Sequence, residues 1–226
     1  MNQSIEQQVF NSVMRGGGWA FHLIFYRIPK NASTSIFNHL GNLNLIKKHE
    51  EKFREHCDQK IYQRWFDATH AKPDEAYKIF KHEIQNYKSF CVVRNPWDRV
   101  ISMYNSIITE GLQELYGING EITFERFCGI IHEHRNDANF IVTHKQVEWT
   151  KGYYPPQKIL RYETLQEDFA EMLQEFGATH ISPELPHLNK TEHTHYSDYY
   201  NTTTKQIIQR VFEKDIDTFK YNFLTH

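Results

Sequence analysis

The junction between an apolar run at residues 89–94 and the helix start that follows it constrains the fold of this chain most. The run, SFCVVR, is too apolar to alternate between core and solvent, which is typical of a strand buried on both faces of a parallel sheet. Asn95 then supplies an N-cap, Pro96 the first helical position and Asp98 an acid in the first turn. A helix is therefore predicted from Pro96 to about Thr109.

The order of strand, turn and helix recurs along the chain. An apolar run at 20–27 precedes a helix predicted at 33–43, and a short strand at 158–162 precedes a helix that ends near Phe176. This last helix is expected to open with a capping box at 164–167, TLQE. Repeated units of this kind predict an α/β fold of three layers, with a central, mainly parallel sheet flanked by helices. Further elements are predicted at 65–69 (a strand) and at 73–85, 123–132 and 203–212 (helices).

Composition and charge favour one domain with a local binding site. The 226 residues show no composition break, so a single domain at 20–226 is expected after a polar segment at 1–19. The formal net charge is −2 and there is no long basic run, whereas proteins that bind mainly nucleic-acid phosphates are usually more basic. No apolar stretch approaches the ~20 residues of a membrane span, and no export signal is visible. A cytoplasmic protein with neither a nucleic-acid nor a membrane partner is expected.

The metal-ligating residue types are not arranged in a recognisable pattern. Cys57, Cys91 and Cys128 are widely spaced and form no CxxC pair, so neither a disulfide framework nor a zinc site is expected. The 14 histidines include no HExxH motif and are expected to lie on the surface or to be hydrogen-bonded in the core. The sequence therefore predicts no bound metal.

Residues 27–35, RIPKNASTS, combine a strand end, a lysine and a helix start rich in hydroxyl groups. In such a turn, backbone N–H groups, hydroxyls and the positive end of a helix point at one place, which suits a phosphate-like anion. The turn is not a Walker A loop, because that loop needs glycines and a late lysine, whereas Lys30 comes early. The alternative is a plain strand–helix turn in which the hydroxyls cap the helix.

Arg94 stands at the carboxyl end of the strand at 89–94, where ligands bind in open α/β sheets. Its guanidinium offers a fork of donors that fits a phosphate. Ser102 lies two turns into the helix that follows. Arg99, in the first turns of the same helix, is expected to pair with a carboxylate. Arg94 and Ser102 are thus the second candidate anion site.

Together these two elements resemble the sulfotransferases that use 3'-phosphoadenosine 5'-phosphosulfate (PAPS). Residues 26–36, YRIPKNASTSI, are similar to the 5'-phosphosulfate loop of that family, notably in the form of the heparan and uronyl 2-O-sulfotransferases. Residues 91–104, CVVRNPWDRVISMY, resemble its 3'-phosphate motif. The segments at 138–147 and 185–223 are similar to parts of the bacterial and carbohydrate-type members. The resemblance spans residues 20–223 and implies a P-loop-like sulfotransferase fold.

The resemblance assigns a role to each matching residue. Lys30 is expected to contact the 5'-phosphosulfate and to stabilise charge on the bridging oxygen as the product PAP departs. Arg94 and Ser102 are expected to hold the 3'-phosphate, and Lys190 to close over the nucleotide. The residues expected to donate to the 5'-phosphate from backbone and hydroxyl groups are Asn31, Ala32, Ser33, Thr34 and Ser35. The resemblance also implies no metal, since a lysine replaces Mg²⁺.

His70 is the candidate general base. It ends the strand predicted at 65–69, and a histidine near that position serves as base in the 2-O-sulfotransferases that the chain resembles. An imidazole suits the removal of a proton from a hydroxyl at neutral pH. The alternative is a structural histidine, in which case Asp67, Glu75 or His22 is the base.

The function implied by the resemblance is transfer of a sulfuryl group from PAPS to an acceptor hydroxyl on a glycan or a small hydroxylated metabolite. By analogy with phosphoryl transfer, the reaction is expected to be in-line and to depend on positioning and charge stabilisation. One alternative is a P-loop-type nucleotide-dependent phosphotransferase (kinase), which would need the missing Walker loop. The other is a non-catalytic relative that binds a nucleotide or a glycan.

Two loops, at 111–150 and 180–201, are expected to shape the acceptor side of the site. Two pairs of adjacent tyrosines, Tyr153-Tyr154 and Tyr199-Tyr200, offer rings that fit a sugar or a nucleobase. Packing in the core is the expected role of both pairs, because tyrosine rings carry a large apolar area.

Overall fold

The carboxyl ends of three parallel strands meet at one edge of the sheet in this protein. The computed structural model describes residues 22–48, 51, 70–111, 113, 120–138, 140–186 and 194–225. Within them, β1 (Leu23–Tyr26), β2 (Lys88–Val93) and β3 (Lys158–Arg161) form a parallel sheet in the order β1-β2-β3. Tyr26 lies opposite Cys91, and Val93 lies opposite Arg161. The loops that leave these strands therefore share one edge, here called the carboxyl edge.

Helices follow each strand and return the chain to the opposite edge. The α-helices are α1 (Ser33–Leu40), α2 (Leu45–Lys48), α3 (Pro73–Phe80), α4 (Pro96–Thr109), α5 (Phe124–Glu133), α6 (Leu165–Glu175), α7 (Thr202–Val211) and α8 (Glu213–Phe219). The 3₁₀ helices are Gly41–Leu43, Lys81–Asn86, Ile141–Thr143, Gln146–Trp149, Tyr162–Thr164 and Tyr196–Tyr199.

Both faces of the sheet are buried along β1 and β2, as their apolar sequences predict. On β1, Ile24 and Tyr26 point to a core cluster that includes the apolar side of α3. Leu23 and Phe25 point the other way, to a cluster that includes Ile36 of α1 and the apolar side of α6. Successive residues of a strand face opposite sides, so this alternation places one helical layer on each face. The predicted three-layer α/β fold is confirmed.

A third core cluster lies between α4, α5 and α7 and is built largely from helical side chains. It buries Trp97, Val100 and Ile101 of α4 against residues that include Phe127 of α5 and Ile208 of α7. This packing secures α4, whose first turn begins at the carboxyl edge. Among the described residues, no helix is both long and apolar enough to cross a membrane.

The helix start at Asn95 is confirmed. The Asn95 side chain accepts a hydrogen bond from the backbone N–H of Trp97 at 3.1 Å, and α4 runs from Pro96 to Thr109. The capping box at 164–167 is wrong, because the Thr164 hydroxyl donates to the Asp168 carboxylate at 3.0 Å and makes no capping bond.

The other predicted elements have mixed outcomes. The helices at 123–132 and 203–212 are present within one residue of their predicted limits, but α8 was not predicted. Packing in the core is wrong for Tyr153, which is 77% exposed. It is supported for Tyr154, which is partly buried against the core. The strand at 65–69 and the segment at 1–19 lie outside the described residues.

Candidate active site

The β1–α1 loop, residues 27–32, contains two residues in the left-handed backbone region. Lys30 has φ 66° and Ala32 has φ 54°. Residues other than glycine rarely adopt positive φ, and each such residue costs on the order of 1–3 kcal/mol unless its surroundings hold it. Backbone strain of this kind clusters at functional sites, and here it includes Lys30, the lysine that the sequence analysis identified.

Asn31 holds the β1–α1 loop against β2. Its side chain is fully buried, and its Nδ2 donates to the Val92 carbonyl at 2.7 Å and to Gln146 Oε1 at 2.6 Å. A buried amide with these partners anchors the backbone between Lys30 and Ala32. The structure therefore places the Asn31 side chain beneath the loop.

Two arginines from the β2–α4 region hold two carbonyl groups of the loop. Arg99 Nε donates to the Pro29 carbonyl at 3.1 Å, and Arg94 Nη1 donates to the Lys30 carbonyl at 3.0 Å. These two hydrogen bonds fix the loop backbone just before the start of α1.

The start of α1 has no side-chain cap. Ala32 is the N-cap residue and makes no capping hydrogen bond, and the first turn contains no acidic residue. Thr34 Oγ1 accepts from Arg27 Nη2 at 3.5 Å, so this hydroxyl is also not a cap. The N-terminal N–H groups of a helix carry a positive potential that attracts anions. The N-cap position itself therefore supplies no side chain to these N–H groups.

Lys30 lies half-buried among other cations. Desolvation by burial lowers the pKa of Lys30, and the nearby charges of Arg94 and Arg27 lower it further, while the carboxylate of Glu110 raises it. Among the described residues, none accepts a hydrogen bond from the Lys30 ammonium. Clustered, partly dehydrated cations are costly unless an anion joins them, so this group has the electrostatics of an anion site.

Arg94 is held rigidly at the carboxyl end of β2. Its side chain is almost fully buried, its Nε donates to Asp98 Oδ2 at 2.7 Å, and its guanidinium lies over the Tyr162 ring at 3.9 Å from the centroid. Ser102 follows Asp98 by one turn of α4 and is half-buried. Tyr162 was missed as a site residue, although it directly follows β3.

Arg99 does not pair with a carboxylate as predicted. Besides the Pro29 carbonyl, it donates from Nη1 to the His144 carbonyl at 3.0 Å, and its side chain is fully buried. Burial lowers the pKa of Arg99 to about 10, and the carboxylate of Asp215 opposes that change. The guanidinium is therefore charged at neutral pH, and it crosslinks backbone segments.

Gln146 was also missed, because it lies in a polar stretch with no clear periodicity. The side chain of Gln146 is fully buried. Its Oε1 accepts two hydrogen bonds, one from the Asn31 side chain and one from the Arg94 backbone N–H at 2.9 Å. Its Nε2 donates to the Arg94 carbonyl at 2.8 Å. Its own N–H donates to Asp215 Oδ2 at 2.8 Å. A single side chain thus joins the β1–α1 loop to the end of β2.

His70 lies beside the β1–α1 loop. Its Nδ1 is 2.8 Å from the Arg27 carbonyl, which accepts only from a protonated nitrogen, so Nε2 carries the lone pair in the neutral ring. The His70 carbonyl accepts from Trp149 Nε1 at 2.9 Å. This tautomer is the one that a general base acting through Nε2 requires.

The alternative bases differ in their positions. Glu75 Oε2 accepts from the Lys72 N–H at 2.7 Å in the first turn of α3, so this carboxylate caps a helix. His22 precedes β1, at the edge opposite the loop, and its Nε2 is 3.4 Å from Lys48 Nζ. Asp67 lies outside the described residues, as does Lys190.

Within the described ranges, no group of three or more metal-ligating side chains is present.

Comparison with known proteins identifies the family to which this architecture belongs. The model of the sulfotransferase family matches residues 20–222, which include the sheet, the β1–α1 loop, Arg94 and His70. Searches of curated proteins and of solved structures returned no match. Since the family match covers most of the 226 residues, the chain belongs to the sulfotransferase family.

Proposed function

We propose that this protein transfers a sulfuryl group from PAPS to an acceptor hydroxyl. The observation that carries the proposal is the β1–α1 loop, in which a half-buried Lys30 precedes an uncapped helix start and is flanked by the charges of Arg27 and Arg94. This combination suits a ligand with several anionic groups at a strand end. PAPS, with its 5'-phosphosulfate and 3'-phosphate, is such a ligand.

The 5'-phosphosulfate would lie at the start of α1. Backbone N–H groups at the first turn, the hydroxyls of Ser33, Thr34 and Ser35, and the Lys30 ammonium would surround it. An anion there would oppose the lowering of the pKa of Lys30 by burial and by the neighbouring arginines, since a negative charge favours the protonated amine. Binding of the donor and protonation of Lys30 would therefore support each other.

The 3'-phosphate would bind to Arg94 and Ser102. Asp98 and the Lys30 carbonyl use two of the five guanidinium N–H groups of Arg94, which leaves donors for a phosphate. The hydrogen bond to the Lys30 carbonyl would also link the two phosphate sites directly. The 3'-phosphate distinguishes PAPS from AMP and ATP, so this second site would provide the selectivity.

The transfer would proceed in line. The acceptor oxygen forms a bond to sulfur while the bond from sulfur to the bridging oxygen breaks, and the electron pair leaves with the 5'-phosphate of PAP. The Lys30 ammonium stabilises the charge that develops on the bridging oxygen. His70 Nε2 takes the acceptor proton, because the Arg27 carbonyl holds the ring in the tautomer with its lone pair on that nitrogen.

The acceptor class proposed is a hydroxyl on a glycan or a small hydroxylated metabolite. A hydroxyl retains its proton at neutral pH, so it benefits from a base in a way that an unprotonated amine does not. His70, a candidate base, lies against the β1–α1 loop through the Arg27 carbonyl. The presence of a base at this position supports an acceptor that must lose a proton, which is a hydroxyl.

Titration calorimetry with PAP and AMP, without Mg²⁺, tests the donor assignment. PAP should bind roughly tenfold to a hundredfold more tightly, because charge-assisted hydrogen bonds to one phosphate contribute about 1.5–3 kcal/mol. Transfer of labelled sulfate from PAPS to a panel of glycans and hydroxylated metabolites tests the reaction. Equal affinity for PAP and AMP, or binding of ATP that requires Mg²⁺, would contradict the proposal and favour a kinase.

A further inference from the structure

The ring of Tyr153 is exposed to solvent, although contacts with α3 hold the segment that carries it. It is the most exposed of the large apolar side chains among the described residues, at 77%. Single exposed apolar residues are common and need no explanation by themselves. The contacts of Tyr153 distinguish it from such residues.

The ring of Tyr153 stacks on Tyr77 of α3. The two ring centroids are 4.9 Å apart and the planes differ by 19°, and His82 meets Tyr77 edge-on at 6.0 Å. Stacking covers one face of Tyr153 and leaves the rest of the ring open to solvent. The result is a flat aromatic surface, here called the Tyr77–Tyr153 platform.

The backbone beside the platform is held in place. The Tyr153 N–H donates to Asp74 Oδ1 at 2.8 Å. Gly152 has φ 121°, and a Cβ at this position would lie 2.5 Å from the same Asp74 oxygen. Only glycine allows both the backbone angle and the close approach, so the segment is fixed to the first turn of α3. The platform is therefore formed before any ligand arrives.

Both elements that carry the platform are connected to His70. Helix α3 begins three residues after His70, and Trp149, four residues before Tyr153, donates to the His70 carbonyl. Tyr77 lies four residues into α3 from Pro73, which is on the order of 6 Å along the helix at 1.5 Å per residue, and His70 lies three residues before Pro73. A ligand that reaches from the base to the platform must therefore be longer than a single sugar.

We infer that the Tyr77–Tyr153 platform stacks against a sugar ring of an extended glycan acceptor, at a distance from the hydroxyl that receives the sulfuryl group. The inference rests on the proposed function. A sugar ring has an apolar C–H face and a polar rim, which match a flat aromatic surface with Asp74, Lys78 and Lys151 exposed around it.

A protein partner fits this surface less well. A stable protein interface buries about 800 Å² on each side and needs several apolar side chains together. The other exposed large apolar residues of the described part lie on different elements: Ile108 near the end of α4, Ile159 on β3 and Leu224 near the end of the chain. An isolated pair of stacked rings suits one sugar unit.

The test compares Tyr153→Ala with Tyr153→Phe, which keeps the stacking ring. Calorimetry in the presence of PAP would measure binding of two probes, chitohexaose and a hexasaccharide of alternating glucuronate and N-acetylglucosamine. We expect the wild type to bind at least one of them and Tyr153→Ala to weaken that binding by about tenfold, the effect of losing one aromatic contact. Tyr153→Phe should bind nearly as the wild type does. Leu224→Ala, which removes an exposed apolar side chain elsewhere, is the control and should change nothing.

Binding of neither hexasaccharide, or equal binding by the wild type and Tyr153→Ala, would overturn the inference. Failure of the proposed function gives a different result, since PAP itself would then bind no better than AMP. A monosaccharide acceptor that is sulfated equally well by the wild type and Tyr153→Ala would support the remote position of the platform.

Discussion

The side-chain amide of Asn31 donates to Gln146 Oε1 at 2.6 Å, although the two residues are 115 positions apart in the chain. Both side chains are fully buried, and the same Gln146 oxygen accepts from the backbone of Arg94. The contact therefore connects the loop proposed for the 5'-phosphosulfate with the strand end proposed for the 3'-phosphate. It also explains how a loop without glycine keeps two residues at positive φ.

A double-mutant cycle measures this connection. Asn31→Ala and Gln146→Ala should each lower the free energy of unfolding by about 1–3 kcal/mol, because each leaves buried partners unpaired. The coupling between them, from urea unfolding of both single variants and the double variant, should be on the order of 0.5–3 kcal/mol. Ser106 and Glu110, which form an exposed hydrogen bond, are the control pair and should show almost no coupling. Strictly additive effects of Asn31 and Gln146 would contradict the connection.

Lys30→Met should raise the melting temperature at neutral pH while abolishing activity. In the folded chain the pKa of Lys30 is lowered, so its positive charge reduces stability below that pKa. This loss of stability disappears as the pH rises from the lowered pKa of Lys30 in the folded chain to the ordinary lysine pKa, so the stability advantage of the variant should shrink over that range. Scanning calorimetry across this range checks the direction. Lys78→Met, at an exposed position of α3, should show no such trend. A lower melting temperature for Lys30→Met would show that the ammonium stabilises the fold.

Lys30→Ala should reduce turnover more than it weakens PAP binding. In the proposed mechanism the main partner of the ammonium is charge that develops during transfer, so its loss should lower kcat by about 10²–10³ and PAP affinity by about tenfold. Steady-state kinetics at saturating PAPS and calorimetry with PAP separate the two effects. Normal turnover of the variant would remove Lys30 from the mechanism.

Ser102→Ala should weaken PAP binding by about tenfold and leave AMP binding unchanged, because AMP lacks the 3'-phosphate. The side-chain hydroxyl of Ser102 makes no hydrogen bond with any other residue that the structure describes, so its removal should not disturb α4. Ser106→Ala, one turn later on the same helix, is the matched control and should bind both nucleotides normally. An equal loss for PAP and AMP would place Ser102 away from the 3'-phosphate.

His70→Asn separates a base from a structural histidine. The asparagine amide can replace Nδ1 in donating to the Arg27 carbonyl, but it has no counterpart of the Nε2 lone pair. Turnover should fall by about 10²–10⁴, the usual contribution of a general base, with PAP affinity and melting temperature retained. The wild-type rate should also fall toward acid pH, where the imidazole is protonated, and this dependence should vanish in the variant. Full activity of His70→Asn would mean that the ring serves only to hold the Arg27 carbonyl.

Much of the local structure follows from short stretches of sequence. Asn95 followed by Pro96 predicts where α4 begins, because the cap and the proline act within one turn. The apolar run that becomes β2 predicts burial on both faces without any knowledge of its neighbours. Thr164 shows where such rules fail. Its hydroxyl has two competing partners, and the carboxylate of Asp168 is preferred to the backbone.

The sequence by itself determined the α/β order of the chain and the identity of the charged and hydroxyl residues at two strand ends. The tertiary structure alone decided that Asn31 anchors the loop, that Gln146 links the β1–α1 loop to the end of β2, and that the exposed Tyr153 ring stacks on Tyr77. Helix caps and buried strands depend on residues within a few positions of each other, so they can be predicted from the sequence. Hydrogen bonds between residues more than 100 positions apart depend on how three strands align, which no local pattern specifies.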